Sequence, residues 1–356
     1  MKTNIFTFIL LLVLMGTGLT LAQNRPLEND EVYSQKTGVQ GLSFLGIFQG
    51  KVGEGNNSPL FYTAQKIFCG LSGFRLDEHW QSREEICGPN AQMMLRVLPC
   101  LYMSLALCLI FYFFARNDNL WIGTLALLLA LTSPMIWLYW AWARPYGLWV
   151  LLTTAQILLY LDISKQPGPS PRALRALGIV HVLLSITALF GMVQAVIAAV
   201  LIRKRVFWLV ALPLMLGLFY ALRAPRFPFF IAHPAAYLIY DNFAVERLVF
   251  IGICAAWMAK RLAGLFKYLI IFLAIPLLVI GYYTIKNAPG THAFLISPGY
   301  FIFLTPLSVI AVMLLWKNMW DNTSNPWMRF NLIQAMAGIL LLGGIRTYIA
   351  VQRFLI

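Results

Sequence analysis

Long apolar runs separated by short clusters of basic residues make up the chain from Met94 onward, and one further apolar run, Ile5 to Ala22, opens it. Between them lies the only long polar stretch, Gln23 to Met93. A run of about 20 apolar residues is what a helix needs to cross a bilayer. The pattern therefore predicts spans at Ile5 to Ala22, Met94 to Phe114, Leu120 to Tyr139 and Tyr146 to Leu161, then Val206 to Leu222, Phe243 to Met258, Tyr268 to Tyr283, Tyr300 to Trp316 and Phe330 to Ile345. Ala176 to Ile202 is too long for one ordinary helix and carries Ser185, Thr187 and Gly191 in its middle. It reads as a hairpin of two short helices, which returns Arg203, Lys204 and Arg205 to the side where loop cations belong. The expectation is an all-α polytopic membrane protein of about eleven spans with a large first external loop. Three regions follow: a first span over residues 1–22, an external loop over 23–93 and a helix bundle over 94–356, with no soluble domain expected after the last span.

The first run has Lys2 before it and Thr20-Leu21-Ala22 after it, so a retained span and a cleavable signal peptide fit equally. Both place the following segment outside the cytoplasm. Within that segment, Val39 to Phe48 and Leu60 to Phe68 are short apolar stretches suited to helices lying flat on the membrane or to packing within the loop.

Composition agrees with the pattern. Only 11% of residues are charged and 60% are hydrophobic, where a soluble domain has about 25% charged residues. The net charge of +14 sits in short clusters between apolar runs, as membrane topology requires, and not in the aromatic-interleaved stripes of a nucleic-acid binder. No P-loop, G-x-S-x-G, H-E-x-x-H or C-x-x-C motif occurs. Five cysteines are too few for a disulfide scaffold, but Cys69 and Cys87 share the external loop, where an oxidising compartment would let them pair.

The candidate chemistry is concentrated at the loop's start. Leu27 to Tyr33 reads L-E-N-D-E-V-Y and sets Glu28, Asp30 and Glu31 just beyond the first span. Asp30 is the candidate general base, with Glu31 as its alternative or as the group that orients an acceptor or a metal. Arg96 opens the second span, and Arg144 stands at the outer end of the third with Pro145 and Tyr146 after it. An ionisable residue in a membrane segment is a functional candidate, and an arginine at a helix start suits phosphate oxygens. Asp241 and Glu246, at the start of a later span, fit a second acidic site or a structural or topological role, and the latter is the expectation. His181, alone in an apolar run, reads as a hydrogen-bonded core histidine.

Taken together these motifs resemble the membrane-embedded glycosyltransferases of the GT-C class, in particular those similar to glycosyltransferase family 39. D-E-V-Y at Asp30 to Tyr33, N-N-S-P-L-F-Y at Asn56 to Tyr62, R-V-L-P from Arg96, and A-R-P-Y at Ala143 to Tyr146 carry the resemblance, in that order, over roughly the first 220 residues. The chain departs from the family at Asn57, where a His is common, at Ala188, where a polar residue is frequent, and at Gly299, where an Arg would stand. The resemblance implies a polyprenyl-phosphate sugar as donor and a glycan, lipid or protein hydroxyl as acceptor. It implies an inverting transfer at the outer face of a bacterial inner membrane, facing the periplasm. Arg144, Tyr146 and Arg96 would hold the donor phosphate, and Asn57 and Tyr62 would line the acceptor or loop cavity. No cofactor is fixed by it, though it leaves room for a divalent metal; membrane lipids are partners and nucleic acid is not. Two other readings stand beside it: a GT-C-like protein that binds polyprenyl lipid without catalysis, and a lipid or solute transporter.

Overall fold

A computed structural model describes residues 2–52, 58–74, 89–165, 170–202, 208–223, 241–242, 244–258 and 298–355. Every regular element among them is helical. Helix α1 (Lys2–Asn24) runs along α5 (Pro89–Asn117), which in turn packs on α6 (Leu120–Leu131) and α8 (Tyr146–Lys165). Between α1 and α5 the polar segment folds into α2 (Asn29–Tyr33), a π-helical turn at Ser34–Gln40, α3 (Phe44–Phe48) and α4 (Pro59–Leu71). The two short apolar stretches of this segment form α3 and α4: Phe44, Leu45, Phe48, Ile67 and Leu71 are exposed, while Phe61, Tyr62 and Gln65 turn inward.

Among the described residues, four helices are long and apolar enough to cross a membrane: Thr3–Asn24, Gln92–Asn117, Tyr146–Ser164 and Pro326–Gln352. The protein is a multi-pass membrane protein. The expected straight span from Leu120 to Tyr139 is instead broken: α6 ends at Leu131, and α7 (Pro134–Trp140) leaves it at 76°. Pro134 has no N–H to continue the helix, and Ser133 N turns back to Ala130 O, so α6 ends there. The amphipathic α9 (Pro171–Ser185) follows, then the shorter apolar helices α10 (Leu189–Ile202) and α11 (Trp208–Arg223). Helices α9 and α10 pack on each other across the break at 186–188, as two arms of the expected hairpin. The break touches the segment between α1 and α5, through Leu60 N to Ile186 O and Ser58 Oγ to Thr187 O. The bundle closes with α12 (Val245–Met258), α13 (Leu304–Asn322) and α14 (Pro326–Leu355). The expected span at Tyr268 to Tyr283 and the cations Arg203 to Arg205 lie outside the described residues, so the tally of eleven rests partly on them.

Three helix carbonyls released by breaks in the backbone pattern are each taken up by a side chain. A proline leaves the carbonyl four residues earlier without its partner. Pro99 frees Leu95 O, and the buried Gln65 Nε2 donates to it at 2.9 Å. Pro213 frees Leu209 O, and His181 Nδ1 lies 3.2 Å from it; the carbonyl can only accept, so Nδ1 carries the proton. Because Ser133 N bonds to Ala130 O, Leu129 O is released at the end of α6, and the fully buried Arg247 donates to it at 2.7 Å, with Thr132 Oγ1 and Ser308 Oγ at 3.0 and 2.9 Å. All three residues are buried, where an unpaired backbone carbonyl is costly. His181, Gln65 and Arg247 are thus explained by backbone geometry.

Candidate active site

Helix α2 is only five residues long and could not hold its shape alone. Glu31 fixes it. Its Oε2 accepts from the Glu28 N–H at the helix start at 2.9 Å, the reciprocal contact of a capping box. Its Oε1 accepts from Ala143 N at 2.7 Å. Arg96 supplies the other two bonds, Nε to Oε1 at 2.9 Å and Nη2 to Oε2 at 2.5 Å. Neither side chain has any exposed surface. The remaining Arg96 donors go to Ala22 O, Arg25 O and Pro26 O. One ion pair therefore ties the end of α1, the start of α2, the first turns of α5 and the A-R-P-Y segment to a single point.

Two expectations are corrected by this geometry. Arg96 was expected at the donor phosphate, but all five of its N–H donors face protein acceptors in a sealed site. Glu31 was expected to serve as base or to orient an acceptor or metal, but each of its oxygens already receives two hydrogen bonds. Tyr62, expected at the acceptor or loop cavity, is fully buried with its ring beside Gly38. Asn57 and Cys87 lie outside the described residues, and with them the expected Cys69–Cys87 pairing. Cys69 itself is half-buried on α4, and burial pushes its thiol up to about 11 against the opposing pull of Lys66.

Asp30, one residue before Glu31, points the other way. Its side chain is 67% exposed and meets Arg144 Nη1 at 2.9 Å. Arg144 is held in place from below: its guanidinium carbon lies 5.6 Å from the Tyr146 ring centre and 5.9 Å from that of Trp142, within cation–π range. Tyr139, Trp142 and Tyr146 form one aromatic cluster, with Tyr139 stacked on Trp142 at 4.6 Å. Glu28 pairs with Arg25, which also caps Leu138 O and lies 5.4 Å from the Trp142 ring centre. Each of the three carboxylates thus has its own arginine. Of the three, Glu31 is sealed and Asp30 is the most exposed.

Sequence reading passed over Arg25, Tyr139 and Trp142. The signal for Arg25 was present, since three acids at the mouth of an apolar bundle require three cations and only Arg96 and Arg144 were counted. Tyr139 also accounts for Gly299. A Cβ at Gly299 would stand 2.5 Å from the Tyr139 hydroxyl oxygen, so the space beside that backbone, where an arginine would project, is filled by the Tyr139 ring. Among the described residues no three His, Cys, Asp or Glu side chains converge to hold a metal ion.

No protein-family model matches the chain, and no curated protein matches it in sequence. Solved structures do match it in shape. The fold is that of ArnT. The crystal structure of ArnT from Cupriavidus metallidurans bound to undecaprenyl phosphate aligns with a TM-score of 0.59 at 13% identity, over 94% of this chain and 63% of ArnT. The apo structure of the same ArnT gives 0.57 at 14%, over 95% and 64%. The GT-C resemblance carried by four short motifs therefore extends to the path of nearly the whole chain, while the chain spans less than two thirds of ArnT's length. At these identities the likeness is one of fold, and the site must be argued from its own residues.

Proposed function

We propose that this protein is an inverting glycosyltransferase that moves a sugar from a polyprenyl-phosphate donor to an acceptor hydroxyl at the outer face of the membrane. The observation that carries it is the Asp30–Arg144 pair: an exposed carboxylate and a guanidinium mounted on aromatic rings, both on a frame locked by Glu31 and Arg96. The ArnT structure with undecaprenyl phosphate supports the donor class, because it shows a polyprenyl phosphate bound to a protein of this fold.

The chemistry needs one base and one phosphate clamp. The acceptor oxygen attacks the anomeric carbon from the face opposite the phosphate, the C–O bond to phosphate breaks, and the configuration inverts. Asp30 takes the acceptor's proton. Polyprenyl phosphate leaves as an anion, stabilised by Arg144, and needs no acid, unlike the leaving alcohol of a glycosidase, which uses two carboxylates. Before the donor arrives, Asp30 and Arg144 neutralise each other. An exposed pair of this kind holds by only ~0–1 kcal/mol, so a phosphate of higher charge draws Arg144 away and leaves Asp30 ionised for the acceptor.

The outer-face assignment rests on topology. Asp118 and Lys317 pair at the far end of α5, and the 22 residues from Arg96 to Asp118 make about 33 Å of helix at 1.5 Å per residue. That end also carries Arg116, Lys165, Arg172 and Arg175, the cytoplasmic signature. The test is to incubate purified protein with radiolabelled polyprenyl-phosphate sugars and a lipid extract. Labelled product of inverted anomeric configuration supports the reading; donor that is bound but never turned over favours the lipid-binding alternative.

A further inference from the structure

The segment between α1 and α5 is tied down at three points, each near the end of a helix in the bundle. Ser58 and Leu60 bond to Thr187 and Ile186 at the tip of the α9–α10 hairpin. Gln65 on α4 bonds to Leu95 O in the second turn of α5. Beyond α3, the Tyr220 hydroxyl donates to Phe48 O at 3.0 Å and Arg223 Nη1 to Gln49 O at 2.9 Å, both from the last turn of α11. Gly50 keeps this junction close. Its φ is +71°, and a Cβ there would stand 3.3 Å from the Tyr220 ring and 3.4 Å from Arg223 Cβ. Three fixed points lay α3 and α4 across the ends of the bundle, on the side that carries Asp30. From Leu95 to Asp118, which pairs with Lys317 at the opposite end, the chain along α5 measures about 35 Å. That is slightly more than the ~30 Å hydrocarbon core of a bilayer, so α4 crosses α5 at the level of the headgroups.

At that level both helices turn large apolar side chains outward. Phe44, Leu45 and Phe48 share one face of α3, while Gly46 and Ile47 are buried. On α4 the buried side holds Phe61, Tyr62 and Gln65, yet Ile67 and Leu71, one turn apart, are exposed, Leu71 by 84%. Lys66 links the two helices: it donates to Val39 O at 2.6 Å, with its ammonium 5.7 Å from the Phe44 ring centre. A helix on a solvated surface carries polar residues on its outer face. Apolar side chains scattered singly over a surface need no explanation, but five on two adjoining helices mark a contact surface. The face borders α11, where Met215, Leu218, Phe219 and Leu222 are exposed on a helix of a membrane bundle. Charge agrees with a lipid neighbour. From Ser34 to Leu71, Lys36, Lys51 and Lys66 stand against Glu54 alone, and a basic segment with an apolar face suits an anionic membrane surface.

We propose that α3 and the second half of α4 are a bilayer anchor. Phe44, Leu45, Phe48, Ile67 and Leu71 lie among the phospholipids of the leaflet on the Asp30 side, and the exposed Lys51 lies at their phosphates. The lipid surface is then a fourth support for the segment that begins with α2. The anchor rests on where the segment is tied and which side chains it exposes, so it does not depend on the transferase reading.

The test uses the full chain in nanodiscs of phosphatidylethanolamine and phosphatidylglycerol. Leu45, Leu71 and Val13 are replaced one at a time by the photoreactive p-benzoylphenylalanine. Size exclusion checks folding before irradiation, and the mass of each adduct identifies what was captured. Val13, 59% exposed on the span α1, sets the lipid signal. Leu45 and Leu71 should each give phospholipid adducts at no less than about one third of the Val13 yield, because side chains at the headgroup–acyl boundary meet the upper C–H bonds of the same lipids. The two positions stand on different helices, so if one variant fails to fold the other decides. A smaller yield in a folded variant would return the face to solvent, and an adduct of protein mass would make it a contact between copies of the chain. Either result overturns the anchor.

Discussion

Asp30 Oδ2 and Arg144 Nη1 lie 2.9 Å apart across 114 residues of sequence. The contact makes the base and the phosphate clamp compete with the substrate for each other, and this gives Asp30→Asn two effects of opposite sign. Transfer should fall ~10²–10⁴-fold, the contribution of a positioned general base. Donor affinity should rise by up to about fivefold, because Arg144 no longer has to leave a partner worth ~1 kcal/mol or less. Single-turnover transfer and donor titration on the same preparation measure both. A loss of turnover together with a loss of donor affinity would place Asp30 in donor binding instead.

Arg144→Ala should weaken donor binding by about 1.5–3 kcal/mol, the range for a hydrogen bond to a charged group. Arg144→Lys should recover only part of this. The ammonium keeps the charge but loses the planar fork and the stacking over Trp142 and Tyr146. The same titration decides, and unchanged affinity in folded Arg144→Ala protein would remove the residue from the phosphate site.

How far the sequence could be read follows from what each feature depends on. Apolar runs of span length show α1, α5, α8 and α14 directly, because length and hydropathy are local properties. The α6–α7 break was signalled by Ser133-Pro134, yet hydropathy runs through it unchanged and the bend is invisible to a composition window. Asp30 and Arg144 were legible as motif residues. The different fates of Asp30 and Glu31 were not, because adjacent positions on a helix are turned about 100° from each other, and only the position of Arg96 decides which one is buried. Gln65 and His181 are unremarkable in sequence and become explicable only when Pro99 and Pro213 are seen to free the carbonyls they satisfy.

The His181–Pro213 relationship yields a double-mutant cycle. His181→Phe should destabilise by about 1–3 kcal/mol, because the buried Leu209 carbonyl loses its donor. Pro213→Ala restores a backbone N–H to that carbonyl, so His181→Phe in the Pro213→Ala background should cost clearly less. Apparent unfolding temperatures of the four proteins in one detergent give the coupling, and additive effects would show that the histidine serves something other than the proline-freed carbonyl.

Cys69 gives a pH prediction for the protein with its thiols reduced. The thiolate is the reactive species, and burial holds the thiol's pKa at about 11. At neutral pH almost all of it is protonated, so alkylation should be slow and should quicken about tenfold per pH unit until it levels near pH 11. Mass-resolved alkylation between pH 7 and 10 on a variant retaining Cys69 alone tests the slope. A plateau by pH 9 would mean that the thiol is not desolvated by α4 packing.

The Glu31–Arg96 lock is expected to act through position and not through chemistry. Removing one partner leaves a buried charge without its counterion, which costs about 3–5 kcal/mol, so Glu31→Ala and Arg96→Ala should each be strongly destabilising. Replacing both, as Glu31→Leu with Arg96→Met, removes both charges and should regain most of that stability, as apolar replacements of buried pairs do. Function should not return with stability. The double variant lacks the two bonds that Glu31 makes to Glu28 N and Ala143 N, so α2 and the A-R-P-Y segment are no longer held together, and Asp30 and Arg144 lose their relative placement. Turnover should stay low while its pH profile keeps the wild-type shape, because the same base still acts when correctly placed. Thermal unfolding followed by size exclusion gives the stability, and pH-dependent transfer gives the rest. A double variant with restored stability, low turnover and a shifted pH profile would move Glu31 from positioning into proton transfer, whereas restored turnover would show that the lock contributes stability alone.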